Sequence, residues 1–206
     1  MLMQKKYDLL NDKIFEETCT DINNNAQYLS KTIDDFKNFI KGDRKRVIFN
    51  LKDNIDSFLS LVKSSIVNNN IKLVLDVAAD INVFTYPNEL IQCFMNIFNN
   101  AKDALIQNNE KDRLILISAF IENENITIKI QDNAGGINTN IIQKVFEPYF
   151  TTKHKSKGTG IGLHMTYNLV VNGMHGMIEV KNEKFIYNDK SYTGALFLIN
   201  LPKNLT

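Results

Sequence analysis

Apolar side chains at Phe15, Cys19, Ile22, Ala26, Leu29, Ile33, Phe36 and Ile40 are separated by steps of 4, 3, 4, 3, 4, 3 and 4 residues. Steps alternating in this way keep one seam along a helix, as in a bundle or coiled coil. The intervening residues are mostly polar ("TDINNN", "SKTIDD"), and residues 1–41 contain no Gly or Pro. A lone helix of this length has nowhere to bury such a seam. Two readings are open: the helix lies across the chain's own core, or it pairs with a helix from another chain or from sequence outside this one. The strict heptad favours a helical partner.

The segment "KGDRKR" (41–46) ends the heptad, with one glycine and four cations, and sets a boundary near residue 44. Beyond it the period changes. "VIFNL", "IKLVLDV", "INVFTY", "RLILISAFIE" and "NITIKIQD" read as strands. Residues 52–67 read as an amphipathic helix, and Pro87 opens a long helix running to Gln107. "GTGIGLHMTYNLVVNG" turns into a helix that stops at Gly173, and "GMIEVKNE" and "GALFLINLP" close the chain as strands. Helices on one face of a mixed or antiparallel sheet predict an α+β chain, a two-layer α/β sandwich preceded by a long helix.

Charge narrows the function classes. Lys+Arg number 24 and Asp+Glu 23, so no basic excess points to nucleic acid or an acidic membrane surface. The apolar runs are far too short to span a membrane. Cys19 and Cys93 lack metal-ligand spacing and read as thiols of a reducing compartment, which predicts a cytoplasmic chain or the cytoplasmic part of something larger.

Three stretches carry chemistry. On the helix from Pro87 to Gln107, Leu90, Ile91, Phe94, Met95, Ile97, Phe98, Ala101 and Leu105 form the apolar face, and Gln92, Asn96, Asn99, Asn100, Asp103 and Gln107 the opposite stripe. A solvated stripe is ordinarily rich in Lys and Glu, and Asn is a poor helix former. An amide oxygen is a neutral, hard ligand suited to Mg²⁺ that retains waters and phosphates; an Asn-rich composition spilling into a helix is the other reading. In "NITIKIQDNAGGI", Asp132 shares the parity of Ile126, Ile128 and Ile130, so a carboxylate continues the buried face. Such a group needs a donor, which a purine amine supplies; a turn-forming Asp-Asn pair is the alternative. Finally, "VFEPYFTTKHKSKGTGIGLHM" follows three alternating apolar pegs with a cationic loop and three alternate glycines at a helix start. Bare backbone there exposes N–H groups to phosphate. It is neither a Walker loop, which ends in Gly-Lys-Ser/Thr, nor a dinucleotide fingerprint, whose glycine spacing differs.

In this order, the pieces resemble the catalytic ATP-binding domain of sensor histidine kinases, within the gyrase–Hsp90–histidine kinase–MutL superfamily. The resemblance covers about residues 45–206: an N box "NIFNNAKDA" (96–104), a first glycine box "DNAGGI" (132–137), an F box "FEPYF" (146–150), a second glycine box "GTGIGL" (158–163) and a closing strand "TGALFLINLP" (193–202). It implies the Bergerat ATP-binding fold over 45–206, with residues 1–44 as the second helix of a dimerisation and phosphoacceptor hairpin. It implies that Asn100 ligates Mg²⁺, that Asn96 supports the phosphates, and that Asp132 binds the adenine amine, with Gly136 admitting the ring. Gly158, Gly160 and Gly162 would wrap the phosphates, Lys153 would reach the terminal one, and Phe146 and Phe150 would anchor the lid. Asp103, Thr159, Ile161 and Leu163 complete the implied ATP site. Ala134 stands where the first box often has Gly, and Ala195 where the closing strand often has Thr.

The histidines are His154, His164 and His175, and none stands on a hairpin helix. The resemblance therefore implies that the acceptor histidine lies outside this chain, which would bind ATP and Mg²⁺, act on a separate helical hairpin, serve a response regulator and dimerise in full-length form. A hydrolysing ATPase of the same superfamily is the alternative, but those carry Glu four residues before the Mg²⁺-binding Asn, where this chain has Asn96. A serine kinase that binds a sigma factor and a non-catalytic nucleotide-binding or dimerisation module are further alternatives. The N-terminal heptad speaks against the first and the intact boxes against the second.

Overall fold

The computed structural model describes residues 14–20, 22–23, 26, 45–122, 124–153 and 158–203. The chain divides into two compact units, one formed by Asp43–Phe150 with Ile161–Thr206 and the other by Met1–Gly42 with Thr151–Gly160. In the second unit, residues 14–20, 22–23 and 26 are helical, with Cys19 and Ile22 exposed. The rest of the heptad, residues 27–44, lies outside the described residues.

The larger unit is a five-stranded sheet with helices, in the order β2-β4-β5-β7-β6, beside a two-stranded sheet of β1 and β3. The strands are β1 (Val47–Asn50), β2 (Ile71–Val77), β3 (Asn82–Thr85), β4 (Arg113–Glu122), β5 (Asn125–Asp132), β6 (Met177–Tyr187) and β7 (Lys190–Pro202). β2 runs parallel to β4, and every other pairing is antiparallel, so the sheet is mixed. The α+β two-layer expectation is borne out.

The helices follow from local signals. In α1 (Leu51–Asn68), the Asn50 side chain caps the helix by accepting from the Asp53 amide at 3.2 Å. α2 (Pro87–Gln107) starts on a proline whose missing N–H costs nothing there. The two helices pack through Phe58, whose ring lies 5.6 Å from that of Phe94 and 5.9 Å from that of Phe98. Beneath them, Ile115, Ile117 and Ala119 of β4 and Ile126, Ile128 and Ile130 of β5 are buried at alternate positions. The buried face of α2 differs from the expected one by a small rotation. Cys93 joins it, whereas Ile91 and Met95 are only half-buried. Burial pushes the Cys93 thiol far above its ordinary range, with Glu89 adding to the effect, so this cysteine is inert packing.

α3 (Gly162–Tyr167) continues directly as a π-helical stretch, Asn168–Gly173. Arg46 ties its end to α2: Nη2 donates to the Gly173 carbonyl at 3.0 Å while the guanidinium lies over the ring of Tyr86, which caps α2.

Candidate nucleotide site

The site is built outward from α2. Asn96, Asn100 and Asp103 stand on one stripe of this helix, all half-buried, opposite the core face. The Nδ2 of Asn96 donates to the Gly162 carbonyl at 3.0 Å and to Thr166 Oγ1 at 3.1 Å. Thr166 is fully buried and its hydroxyl donates to the same Gly162 carbonyl at 2.9 Å. Because a carbonyl only accepts, the orientation of the Asn96 amide is dictated, with its nitrogen on the Gly162 carbonyl and Thr166. Asn99, by contrast, accepts from Lys102 Nζ at 3.1 Å and forms a surface pair.

The far end of α2 meets the first glycine box. Asn108, its C-cap, donates through Nδ2 to the Ala134 carbonyl at 2.5 Å. In that box Asp132 is buried, as strand parity predicts. Its Oδ1 accepts from the Ala134 amide at 2.9 Å, closing an Asx-turn, and from the Ala195 amide of β7 at 3.2 Å. The turn reading of this residue therefore holds, and the acid is buried as its strand parity predicts. Burial pushes the Asp132 carboxyl up to about 6, and the two amides only partly offset this. Ala195 contributes its backbone here, so the absent threonine leaves this contact intact.

Beside the first glycine box, geometry excludes a side chain at Gly136 and at Gly194. Gly136 has φ +87°, and a Cβ there would come within 2.5 Å of Asn182 Oδ1. Asn182 clamps the box, accepting from the Ile137 amide at 2.7 Å and donating to the Ile137 carbonyl at 2.6 Å. A Cβ on Gly194 would lie 1.6 Å from the Asp132 carbonyl oxygen and 2.9 Å from its Oδ1. Gly194→Ala should lower stability by roughly 1–3 kcal/mol through the forced displacement of β7 from β5. The check is the urea midpoint, and an unchanged midpoint would contradict this packing.

Of the remaining candidates, Ile161, Gly162 and Leu163 open α3 in the larger unit, where Gly162 meets Asn96. Lys153, Gly158, Thr159 and Gly160 belong to the other unit. There the Lys153 amide donates to Thr151 Oγ1 at 3.1 Å, and Gly160 takes φ +65°. The sequence did not single out Thr166, Asn108, Asn182 or Gly194. Only Gly194 left a signal, a lone glycine near the start of an otherwise apolar strand.

Among the described residues, no three His, Cys, Asp or Glu side chains come together as a metal centre. The oxygen ligands on this stripe of α2 are instead the neutral amides Asn96 and Asn100, with the single carboxylate of Asp103. Such a set does not hold a bare cation by charge, and it fits Mg²⁺ that arrives with phosphate oxygens and waters.

A helix-backed mixed sheet with an amide-lined helix, a buried strand-end acid and glycine turns defines the class of ATP-binding α/β sandwiches. The chain belongs to the histidine kinase-, DNA gyrase B- and HSP90-like ATPase family, whose model matches residues 85–205. It is 36% identical over 118 residues to the two-component sensor PprA of Pseudomonas aeruginosa, covering 55% of this chain and 12% of that one. It is 28% identical over 161 residues to sporulation kinase E of Bacillus subtilis, covering 78% of this chain and 20% of that one. The chain thus spans about a fifth or less of the length of these curated relatives. In fold it resembles the catalytic domain of the histidine kinase ThkA, with TM-score 0.65 and 23% identity over 77% of this chain and 96% of that one. It also resembles ThkA in complex with the response regulator protein TrrA, with TM-score 0.69 and 20% identity over 98% of this chain and 55% of that one. The expected likeness to sensor histidine kinase catalytic domains is borne out.

Proposed function

We propose that residues 45–206 are the catalytic ATP-binding region of a two-component sensor histidine kinase. It passes the γ-phosphoryl group of ATP to a histidine outside this chain, and from there the group reaches an aspartate of a response regulator. The observation that carries this reading is Asn96. A hydrolysing relative needs a carboxylate at this position to activate water. Here the group is a neutral amide whose two N–H bonds are committed to Gly162 and Thr166, so it offers no base. Phosphoryl transfer to an imidazole needs none from the protein: positioning and charge neutralisation suffice.

In this reading Asn100 holds Mg²⁺, and Asn96, one turn earlier, supports the phosphates. The ion would supply charge neutralisation on the phosphates. Asp132 accepts from the adenine amine, and Gly136 keeps the first glycine box clear of side chains. Gly158, Thr159, Gly160, Ile161, Gly162 and Leu163 offer backbone N–H groups to the phosphates, Lys153 adds a cation, and Asp103 lies one turn beyond Asn100. In this reading the heptad seam within residues 1–44 belongs to the dimerisation and phosphoacceptor hairpin and pairs with a partner helix and a second copy of the chain. Among the described residues no helix is long and apolar enough to cross a membrane. The reaction would run in the cytoplasm, where ATP and reduced thiols such as Cys19 and Cys93 occur.

The test supplies the chain with a separate helical hairpin bearing an acceptor histidine, together with γ-labelled ATP and Mg²⁺. Acid-labile label on the hairpin is the expected result. Release of free phosphate without labelled hairpin would replace the kinase by the hydrolase.

A further inference from the structure

We propose that His164 is a positioning residue for nucleotide binding: it locks the Phe146–Glu147 peptide onto α3, the helix that also orients Asn96, and so holds the "FEPYF" turn on the sandwich. Its functional arm rests on the ATP reading above, and its structural arm does not.

The imidazole is held at both nitrogens. Nδ1 lies 2.9 Å from the Phe146 carbonyl, which only accepts, so Nδ1 carries the hydrogen. Nε2 lies 3.0 Å from Asn168 Nδ2, which only donates, so Nε2 is the acceptor. The orientation of Asn168 is fixed in turn, because its Oδ1 accepts from Asn172 Nδ2 at 2.8 Å. His164, Asn168 and Asn172 are spaced four residues apart along α3 and its π-helical continuation. The result is a directed ladder that aims the Nδ1 hydrogen at Phe146.

That carbonyl belongs to a planar peptide whose other edge is also held. The Glu147 amide donates to the Lys144 carbonyl at 2.9 Å. His164 thus supplies the second of two restraints on one rigid plate. The Phe146 ring adds a third, lying 5.8 Å from the Tyr167 ring of α3. Such fixing is needed because the turn is not at ease: Tyr149, three-quarters exposed, takes φ +63° without being glycine. A residue in that region persists only where its surroundings over-determine it.

α3 is also the mount of Asn96. Gly162, two residues before His164, offers the carbonyl that turns the Asn96 amide. One short helix therefore carries both the restraint on the F-box turn and the restraint on the N box. Loosening His164 frees the F-box turn from the helix that also holds Asn96.

The experiment uses the full chain. Amide exchange at Glu147 is measured without nucleotide, and dissociation of a fluorescent ADP is followed with Mg²⁺. H164F, which keeps the ring and loses both nitrogens, should speed Glu147 exchange about five- to tenfold and raise the dissociation rate by a similar factor. H164N should restore both to near the wild-type values, because its Nδ2 stands where the imidazole Nδ1 stood. H164Q, whose amide reaches the Nε2 position, should behave like H164F. Should H164F fail to fold, the H164N and H164Q pair makes the same comparison between two amides. Wild-type exchange in H164F, equal behaviour of H164N and H164Q, or faster exchange with unchanged dissociation would overturn the proposal. If the wild-type chain binds no adenine nucleotide, the ATP reading falls, while the exchange measurement still decides the role of His164.

Discussion

Asn100→Ala is expected to abolish Mg²⁺-dependent ATP binding, lowering affinity by at least about a hundredfold, while the chain stays folded. The physical case lies in the donor set. With no carboxylate or imidazole cluster among the described residues, the ion depends on amide oxygen and phosphate. Removing the amide that the N box assigns to the metal takes away the protein oxygen ligand that fixes the Mg²⁺–triphosphate on α2. Folding should be spared because Asn100 lies on the half-buried stripe of α2, opposite Phe94, Ile97 and Phe98, and alanine is the better helix former. Calorimetric titration with ATP, in Mg²⁺ and in chelator, separates the two contributions. Equal Mg²⁺-dependent affinity in variant and wild type would remove Asn100 from the metal.

Asp132→Asn should have the second-largest effect, and it acts in two directions. The Ala134 and Ala195 amides both donate to Oδ1, so the variant must keep its carbonyl oxygen there and turn its NH₂ the other way. A donor then meets the adenine amine, itself a donor. ATP affinity should fall roughly ten- to a hundredfold, with much less effect on GTP, which carries a carbonyl at that position. An unchanged ATP/GTP preference would count against the adenine role.

Stability should move oppositely. The folded carboxyl titrates at about 6, above its ordinary value of 3.8, because burial disfavours the anion. Below the lower value both states are protonated, so the group costs nothing. As pH rises through about 6, the folded protein must bury a charge, and stability contributed by the neutral acid is lost, of the order of 2–3 kcal/mol. The asparagine never ionises. The melting-temperature gain of the variant should therefore be near zero at pH 4 and grow towards pH 7; parallel curves would show that Asp132 is not the buried acid described.

The elements differ in how far they could be read in advance. β2, β4 and β5 match "IKLVLDV", "RLILISAFIE" and "NITIKIQD" residue for residue, because apolar alternation stops abruptly at polar turns. β6 and β7 do not. The expected strands ended at Glu183 and began at Gly194, whereas the observed ones run to Tyr187 and from Lys190. Apart from Phe185, which stacks on Tyr192, the added residues are polar or exposed, and they pair with each other across the hairpin. The available signal was the Asn188–Asp189 pair, with φ +50° and +61°, a two-residue turn of the kind such residues favour. Likewise, the helix after the glycines was legible, but not its widening into a π-helix, which the apolar pattern does not encode.

The same division runs through the site. By itself the sequence determined the amide stripe on α2, the buried parity of Asp132 and the glycines at the turns, since each depends on residues a few places apart and on the fixed periods of helix and strand. The tertiary structure alone decided which way Asn96 points, that Gly194 and the Ala195 amide press against Asp132, that Asn182 clamps the turn at Gly136, and that His164 holds Phe146. Those outcomes are set by single donor and acceptor atoms brought within about 3 Å, mostly from distant parts of the chain. Periodicity specifies which face a side chain occupies, whereas a hydrogen bond also requires the identity, direction and distance of a partner that local pattern does not contain.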